Sequence, residues 1–243
     1  MRKFQMEFNG VDFSEYLVVE EVRRPFLPSS DFLTEKVMGK RGVRFFRREE
    51  TESVIEVDVR IIRNNRKNVQ EIKRYLQRFL YTEKPEKLLL RDNTSIFNYG
   101  ILGRTDLDIF LRTGSTTLEF ICHDPTNYSS NLHEMSLKTG DNIIFYQGTY
   151  AVGPLVRISE ATGSYIDVRL INTGDYVRII DNPLLTDVYE IDMENENVKK
   201  NGVQFMKQVY FESDFFELVP GENNIRLSSG SGTLSFREQG YDG

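Results

Sequence analysis

The segment SVIEVDVRII, Ser53 to Ile62, alternates with a period of two residues. Ile55, Val57, Val59 and Ile61 fall on one side of an extended chain, and Val54, Glu56, Asp58 and Arg60 fall on the other. That pattern suits a strand with one face in a core and one in water. KFQMEF, TTLEFIC, PLVRIS, SYIDVRLI, DYVRII, VQFMKQVYF and ENNIRL repeat the alternation or its β-branched composition, with Gly, Asn or Pro between them. The expected fold is mainly β.

One stretch departs from it. In NVQEIKRYLQRFLYT, Val69, Ile72, Tyr75, Leu76, Phe79 and Leu80 recur at spacings of three and four, the apolar stripe of a helix over about 69–82. Asn68 stands where a cap belongs, and Glu71 stands where a carboxylate reaches back to the cap N–H. The helix must stop before Lys84-Pro85, because a residue preceding proline disfavours the helical region.

Two interruptions organise the chain. RRPFLPSSDFLTEKVMGKRGVRFFRREET, from Arg23 to Thr51, holds two prolines and two glycines and is too long for a tight turn, so residues 23–51 read as an arm. CHDPTNYSSNLHEMSLKTGDN separates two groups of strands, and the domain boundary is expected within Asn131 to Lys138. This gives one domain over 1–133 and a second over 134–243.

Charge follows that division. Up to His133 there are 22 Lys and Arg against 20 Asp and Glu, and beyond it 9 against 17, so the halves stand at +2 and −8. The acidic second half argues against nucleic-acid binding there. The single cysteine, Cys122, cannot form an internal disulfide. MRKFQMEFNG has no apolar run behind its basic residues, and no apolar stretch approaches the ~20 residues of a membrane span. The expectation is a product made in a cytoplasm, with no membrane partner.

Signals for chemistry are weak. Cys122, His123, Asp124 and His133 could be drawn as a zinc set, but adjacent strand residues face opposite ways and no paired Cys or His spacing exists. There is no G-x-S-x-G elbow, and with two histidines in the chain a nucleophilic triad has few possible bases. Gly148 and Gly153 have the phosphate-loop spacing, yet Pro154 and Leu155 stand where Lys and Ser or Thr belong. The abundance of carboxylates makes any glycosidase pair uninformative. In EIDMENENVKKNG, read as a calcium loop from Asp192, the sixth position is Asn197 instead of Gly and the twelfth is Val203 instead of Glu. Asn201-Gly202 signals a type I′ hairpin, so that stretch reads as a solvated hairpin with Ile191 and Met193 inward. No catalytic residue, metal site or cofactor is expected.

Lys36, Met38, Lys40, Arg41, Arg44, Phe45 and Phe46 concentrate cations and large apolar groups on the arm. Interleaved cations and rings are a nucleic-acid signature, but Glu49, Glu50 and Glu52 follow at once and cancel much of the field. An arm contacting a neighbouring subunit is the better reading, without sequence-specific nucleic-acid binding.

The order of features, FNGVDFSEYLVVEEV, the arm, SVIEVDVRII, the lone helix, PEKLLLRD and then TTLEFICHDPTNYS, resembles the N-terminal domain of the distal tail (Dit) proteins of long-tailed, non-contractile bacteriophages. His123-Asp124-Pro125-Thr126-Asn127-Tyr128, a strand ending in D-P-x-x-Y, is its most specific piece. PLVRIS, the N-T-G turn, YEIDMENENVKKNG and FFELVPGENNIRL resemble the family's C-terminal β-sandwich, which is similar to galectins and carbohydrate-binding modules. The resemblance implies a structural virion protein, not an enzyme. It implies a sandwich-like N-terminal domain that closes a homohexameric ring through the arm, at the distal end of the tail. It implies tail tube and tail-tip or tail-associated proteins as partners, receptor-binding proteins as further ones, and assembly in the host cytoplasm. The alternative is a carbohydrate-binding module in which Tyr165, Tyr176 and Tyr189, in the absence of any Trp, stack on a surface glycan.

Overall fold

The computed structural model describes residues 3–62, 69–105 and 114–240. The chain forms two compact units that divide in sequence between Tyr128 and Ser129.

The first unit contains β1 (Met6–Phe8), β2 (Val11–Asp12), β3 (Leu17–Arg23), β4 (Ser30–Glu35), β5 (Arg44–Glu50), β6 (Ser53–Ile61), α1 (Val69–Leu80), β7 (Glu86–Leu90), β8 (Ile96–Thr105) and β9 (Ser115–Cys122), with β10 (Asn127–Ser129) at the division. Seven strands pair antiparallel in the order β2-β1-β7-β8-β9-β6-β3. β6 behaves as its pattern requires: Ile55, Val57, Val59 and Ile61 are buried, and Arg60 and Val54 are exposed. Buried residues from the first strands of this path (Met6, Phe8), its middle (Leu88, Phe120) and its last (Leu17, Val19) belong to one core cluster, so the sheet curls around that core.

Side chains rather than a ladder tie β1 to β3: Val19 N–H donates to Gln5 Oε1 at 3.0 Å, and Gln5 N–H donates to Ser14 Oγ at 2.8 Å. The helix lays Ile72, Leu76 and Leu80 into the same core, with Tyr75 and Phe79 packed against its rim. Burying three such side chains contributes about 1.5–3 kcal/mol each. α1 ends at Leu80, two residues short of the expected end, and Glu83 and Lys84 form a bend ahead of Pro85. The proposed cap, Asn68, lies outside the described residues.

The second unit contains β11 (His133–Tyr146), β12 (Leu155–Ser159), β13 (Ile166–Leu170), β14 (Tyr176–Ile179), β15 (Tyr189–Asp192), β16 (Asn197–Lys200), β17 (Val203–Gln204), a 3₁₀ turn at Met206–Gln208, β18 (Gly221–Phe236) and β19 (Gln239–Gly240). Two long strands organise it. β11 and β18 pair over nearly their full lengths, and the register breaks between Lys138 and Gly140. On one side of the break β18 continues into β13 and β14, and on the other into β12, β15, β16 and β17. Both parts bury their inner residues in one cluster that includes Ile144, Val156, Val168, Val177, Ile191 and Leu234.

Two expectations change here. HEMSLKTGDN, read as part of the boundary, is the first two-thirds of β11; its outward Glu134, Ser136 and Lys138 conceal the strand, and β18 supplies its pairing. VQFMKQVYF is a strand only at Val203–Gln204. The chain then turns through the 3₁₀ segment and crosses to β14, where Tyr210 N–H donates to Arg178 O and Asp214 N–H donates to Tyr176 O.

Candidate assembly interface

The expected arm is a β-hairpin. Among the described residues β4 and β5 pair only with each other, from Ser30 opposite Glu50 to Glu35 opposite Arg44, with a bulge between Leu33 and Thr34. Gly39 and Gly42 take left-handed φ values of 80° and 84° in the connecting segment, where a Cβ would be strained. Thr51 N–H donates to Ser29 O at 2.8 Å and Arg48 Nε donates to Ser30 Oγ at 2.6 Å, which closes the base.

Neither face of this hairpin is covered within the described residues. Apart from Ser30, every residue of β4 and β5 is exposed, and so are Lys36, Lys40 and Arg41 beyond them. Met38 is 97 % exposed, Phe45 59 % and Phe46 47 %. The sequence reading missed Phe32, Leu33 and Val43, which are equally open; Phe32 and Leu33 are adjacent and so give SDFLTE no alternation that would have singled them out. Arg44 lies 5.1 Å over the Phe46 ring, and Arg47 pairs with Glu49, so part of the positive charge is internally engaged. A two-stranded hairpin is marginal alone in water, and a contiguous group of large exposed apolar side chains marks a surface that another molecule covers.

The root of the arm is built differently. Arg24 is largely buried and forks between two partners: Nε donates to Asp92 Oδ2 at 2.9 Å and Nη1 donates to Asn98 Oδ1 at 2.6 Å. Buried Asn98 in turn donates from Nδ2 to Thr126 O at 3.2 Å and to Asn127 Oδ1 at 2.5 Å. In the D-P-x-x-Y segment, Asp124 accepts from Thr126 N–H at 3.0 Å and from the Tyr128 hydroxyl, and the Tyr128 ring stacks on Phe97 with centroids 5.5 Å apart. The motif is therefore a structural knot beneath the arm's first foot.

The other sequence candidates separate. Tyr189 is corrected: it is fully buried and its hydroxyl donates to Asp181 at 2.5 Å, so it offers no ring to a sugar. The alternation that puts Ile191 inside puts Tyr189 inside too. Tyr165 is 46 % exposed, while Tyr176 is half-buried beneath two guanidinium groups, Arg169 at 4.5 Å and Arg178 at 5.1 Å from its centroid. Cys122 is buried and the adjacent His123 is exposed, bonded to Glu52 at 3.2 Å. Burial pushes the Cys122 thiol up to about 12.

In EIDMENENVKKNG the chain turns twice, once at Met193–Glu196 and again at Asn201–Gly202, where φ values of 51° and 78° suit a type I′ turn. Three of the four acids are engaged: Glu190 pairs with Arg157 and Lys199, Asp192 accepts from Asn195, and Glu194 accepts from Gly153 N–H. Among the described residues no group of three His, Cys, Asp or Glu could hold a metal ion, and no helix is long and apolar enough to cross a membrane.

A curled sheet bearing a hairpin left uncovered among the described residues, followed by a second β unit, defines a two-unit, mainly β protein. The chain belongs to the siphovirus distal tail (Dit) family. A family model described as the phage tail protein RIFT-related domain matches residues 11–122, and one described as the siphovirus-type tail component, C-terminal domain, matches residues 147–239. The distal tail protein of Bacillus phage SPP1 is 22 % identical over 242 residues, covering 97 % of this chain and 95 % of that protein. Its crystal structure, described as a paradigm of hub adsorption apparatus in phages infecting Gram-positive hosts, is similar with a TM-score of 0.83. The identity there is 20 %, over 98 % of this chain and 99 % of that one. A chain of the phage P2 baseplate in its activated conformation with Ca is similar with a TM-score of 0.56 at 10 % identity, over 98 % of each chain.

Proposed function

We propose that this chain is the hub at the distal end of a bacteriophage tail, a homohexameric ring in the virion that joins the tail tube to the tail tip or baseplate. The observation that carries the reading is the hairpin of β4 and β5, whose large apolar side chains have no cover among the described residues of their own chain. Seated on the next copy, head to tail, they would leave solvent in every subunit once the ring closes. The near-neutral charge of the half that bears the hairpin permits such closure without strong repulsion. The structural relatives, a hub protein and a baseplate chain, support the location. Tail-tube and tail-tip proteins are then the partners on the two sides of the ring, and receptor-binding proteins further ones; the ring assembles in the host cytoplasm and its role is structural, with no catalytic step.

Mass measurement in solution tests this. A species of six protomers of 28.4 kDa, or ring-shaped particles by negative stain, is expected; a strict monomer at high concentration, with and without the tail-tube protein, overturns it.

Attachment to a surface glycan by the second unit is a second reading, favoured by one observation: the exposed Tyr165 ring beside Arg178, 4.9 Å from its centroid. Binding on a glycan array that is lost in Tyr165→Ala supports it, and an array without signal removes it.

A further inference from the structure

The hairpin leaves the first unit through two feet. The second foot is held by ladder bonds, since Ser53 begins β6 opposite Cys122 of β9. Among the described residues the first has no ladder to the unit beyond Arg23, which pairs with Glu56. From Arg24 to Ser29 the chain reads R-P-F-L-P-S, with Pro25 and Pro28 fixing φ and Arg24 itself biased to extended backbone by the proline that follows. A stem of that kind is stiff along its length, but its direction depends on what holds its start.

Arg24 ties that start by hydrogen bonds, with Pro28 buried further along the stem. Its guanidinium reaches Asp92 in the turn after β7 and Asn98 on β8, and Asn98 reaches on to Thr126 and Asn127. Two segments far from the stem in sequence, residues 92–98 directly and residues 126–127 through Asn98, are thus tied to its start. A planar fork satisfies a carboxylate and an amide oxygen in fixed directions at once, which an ammonium on a flexible stem cannot reproduce. We infer that Arg24 is a positioning residue for assembly: it sets the direction in which the hairpin leaves the unit, so that the apolar side chains are presented to the neighbouring copy already oriented. Preorientation lowers the ordering cost that would otherwise oppose association.

The inference rests on the hairpin being the assembly element, and three variants separate the two claims. Deleting residues 36–48 is expected to abolish the oligomer. Arg24→Ala and Arg24→Lys are expected to keep the native circular dichroism while raising the concentration needed for assembly by about tenfold or more. Arg24→Lys keeps the charge beside Asp92 but cannot also fork to Asn98, so it should not rescue. Spin labels on Lys40→Cys and Glu83→Cys, with buried Cys122 left unlabelled, should give a narrow distance distribution in the parent under monomeric conditions and a broad one in Arg24→Lys. If both Arg24 variants assemble as the parent does, or the distribution stays narrow, while the deletion fails to assemble, the role of Arg24 is overturned. If the deletion itself assembles normally, the hairpin reading has failed.

Discussion

Phe32 of β4 and Phe45 of β5 meet diagonally across the arm hairpin, where Phe32 stands opposite Arg48 and Phe45 opposite Thr34; their ring centroids are 6.3 Å apart and their planes tilted by 54°, yet they are 62 % and 59 % exposed. A cross-strand aromatic pair contributes about 0.2–1 kcal/mol to a hairpin, too little to account for two large rings left in water. If they anchor an interface, replacing both by Ser should cost the assembly about 2 kcal/mol or more per ring and the isolated chain little. The expected outcome is a monomeric mass for Phe32→Ser/Phe45→Ser at concentrations where the parent is oligomeric, with the main thermal transition nearly unmoved. An unchanged oligomer would remove these rings from the interface.

Cys122 closes β9 beneath Gly100, where a methyl group would stand 3.3 Å from its Sγ. With the thiol buried and its pKa pushed up to about 12 by desolvation, it should be inert in the folded protein. Ellman's reagent at about pH 8, where an exposed thiol of pKa ~8.5 reacts readily, is expected to label nothing in the native chain and the chain's single cysteine in guanidinium. Native labelling within minutes would show that this end of the sheet opens.

What the sequence made legible is what local periodicity encodes. β6 was readable because four apolar residues alternate with three charged ones, and the face of α1 because its stripe is continuous from Ile72 to Leu80. The Asn201-Gly202 turn followed from two residues able to take positive φ. The failures lie where tertiary partners decide. β11 is hidden because most of its first half faces water and its inward residues are few, with Leu137 among them. VQFMKQVYF alternates like a strand, but its carbonyls and amides are claimed partly by β16 and partly by β14. The arm was visible as an interruption, and its hairpin pairing was not, because residues exposed on both faces leave no alternation to read. D-P-x-x-Y was recognisable as a motif, but its work depends on Phe97 and Asn98, about thirty residues earlier in the chain.

Gly232 sits in β18 opposite Ile158 of β12. A Cβ built there would lie 2.3 Å from the Arg157 carbonyl oxygen, a backbone atom held in the ladder. The two strands approach as closely as they do because there is no side chain. Gly232→Ala is therefore expected to cost roughly 1–3 kcal/mol through overpacking and to lower the unfolding temperature of the second unit. Gly100→Ala, whose nearest contact is a sulfur at 3.3 Å, should cost less. Equal unfolding temperatures for Gly232→Ala and the parent in calorimetry would show that β12 yields without penalty.

Lys200 joins the loop before β15 to the strand after it. Its Nζ lies 2.7 Å from Asp181 Oδ2 and 2.9 Å from Asp187 Oδ2, and Asn201 Nδ2 donates to Asp187 Oδ1 at 2.9 Å. The Leu184 N–H, then Lys200, then Asn201 lower the Asp187 carboxyl from 3.8 to about 2. For Asp181, burial pushes upward, but Lys200, Tyr189 and the Asn182 N–H outweigh it and the shift is also downward. A carboxyl with a depressed folded pKa adds stability that is complete above its unfolded value and fades as pH falls through its folded one. The second unit should therefore lose thermal stability as pH drops from about 4 to about 2, beyond what other carboxyls cause. Lys200→Met removes one source of the depression and leaves two acids facing an apolar group. Its unfolding temperature should be lower than the parent's near neutrality and should fall less steeply over that acid range, so the two curves converge. Parallel curves across the whole range would mean that Lys200 does not set the charge state of the loop.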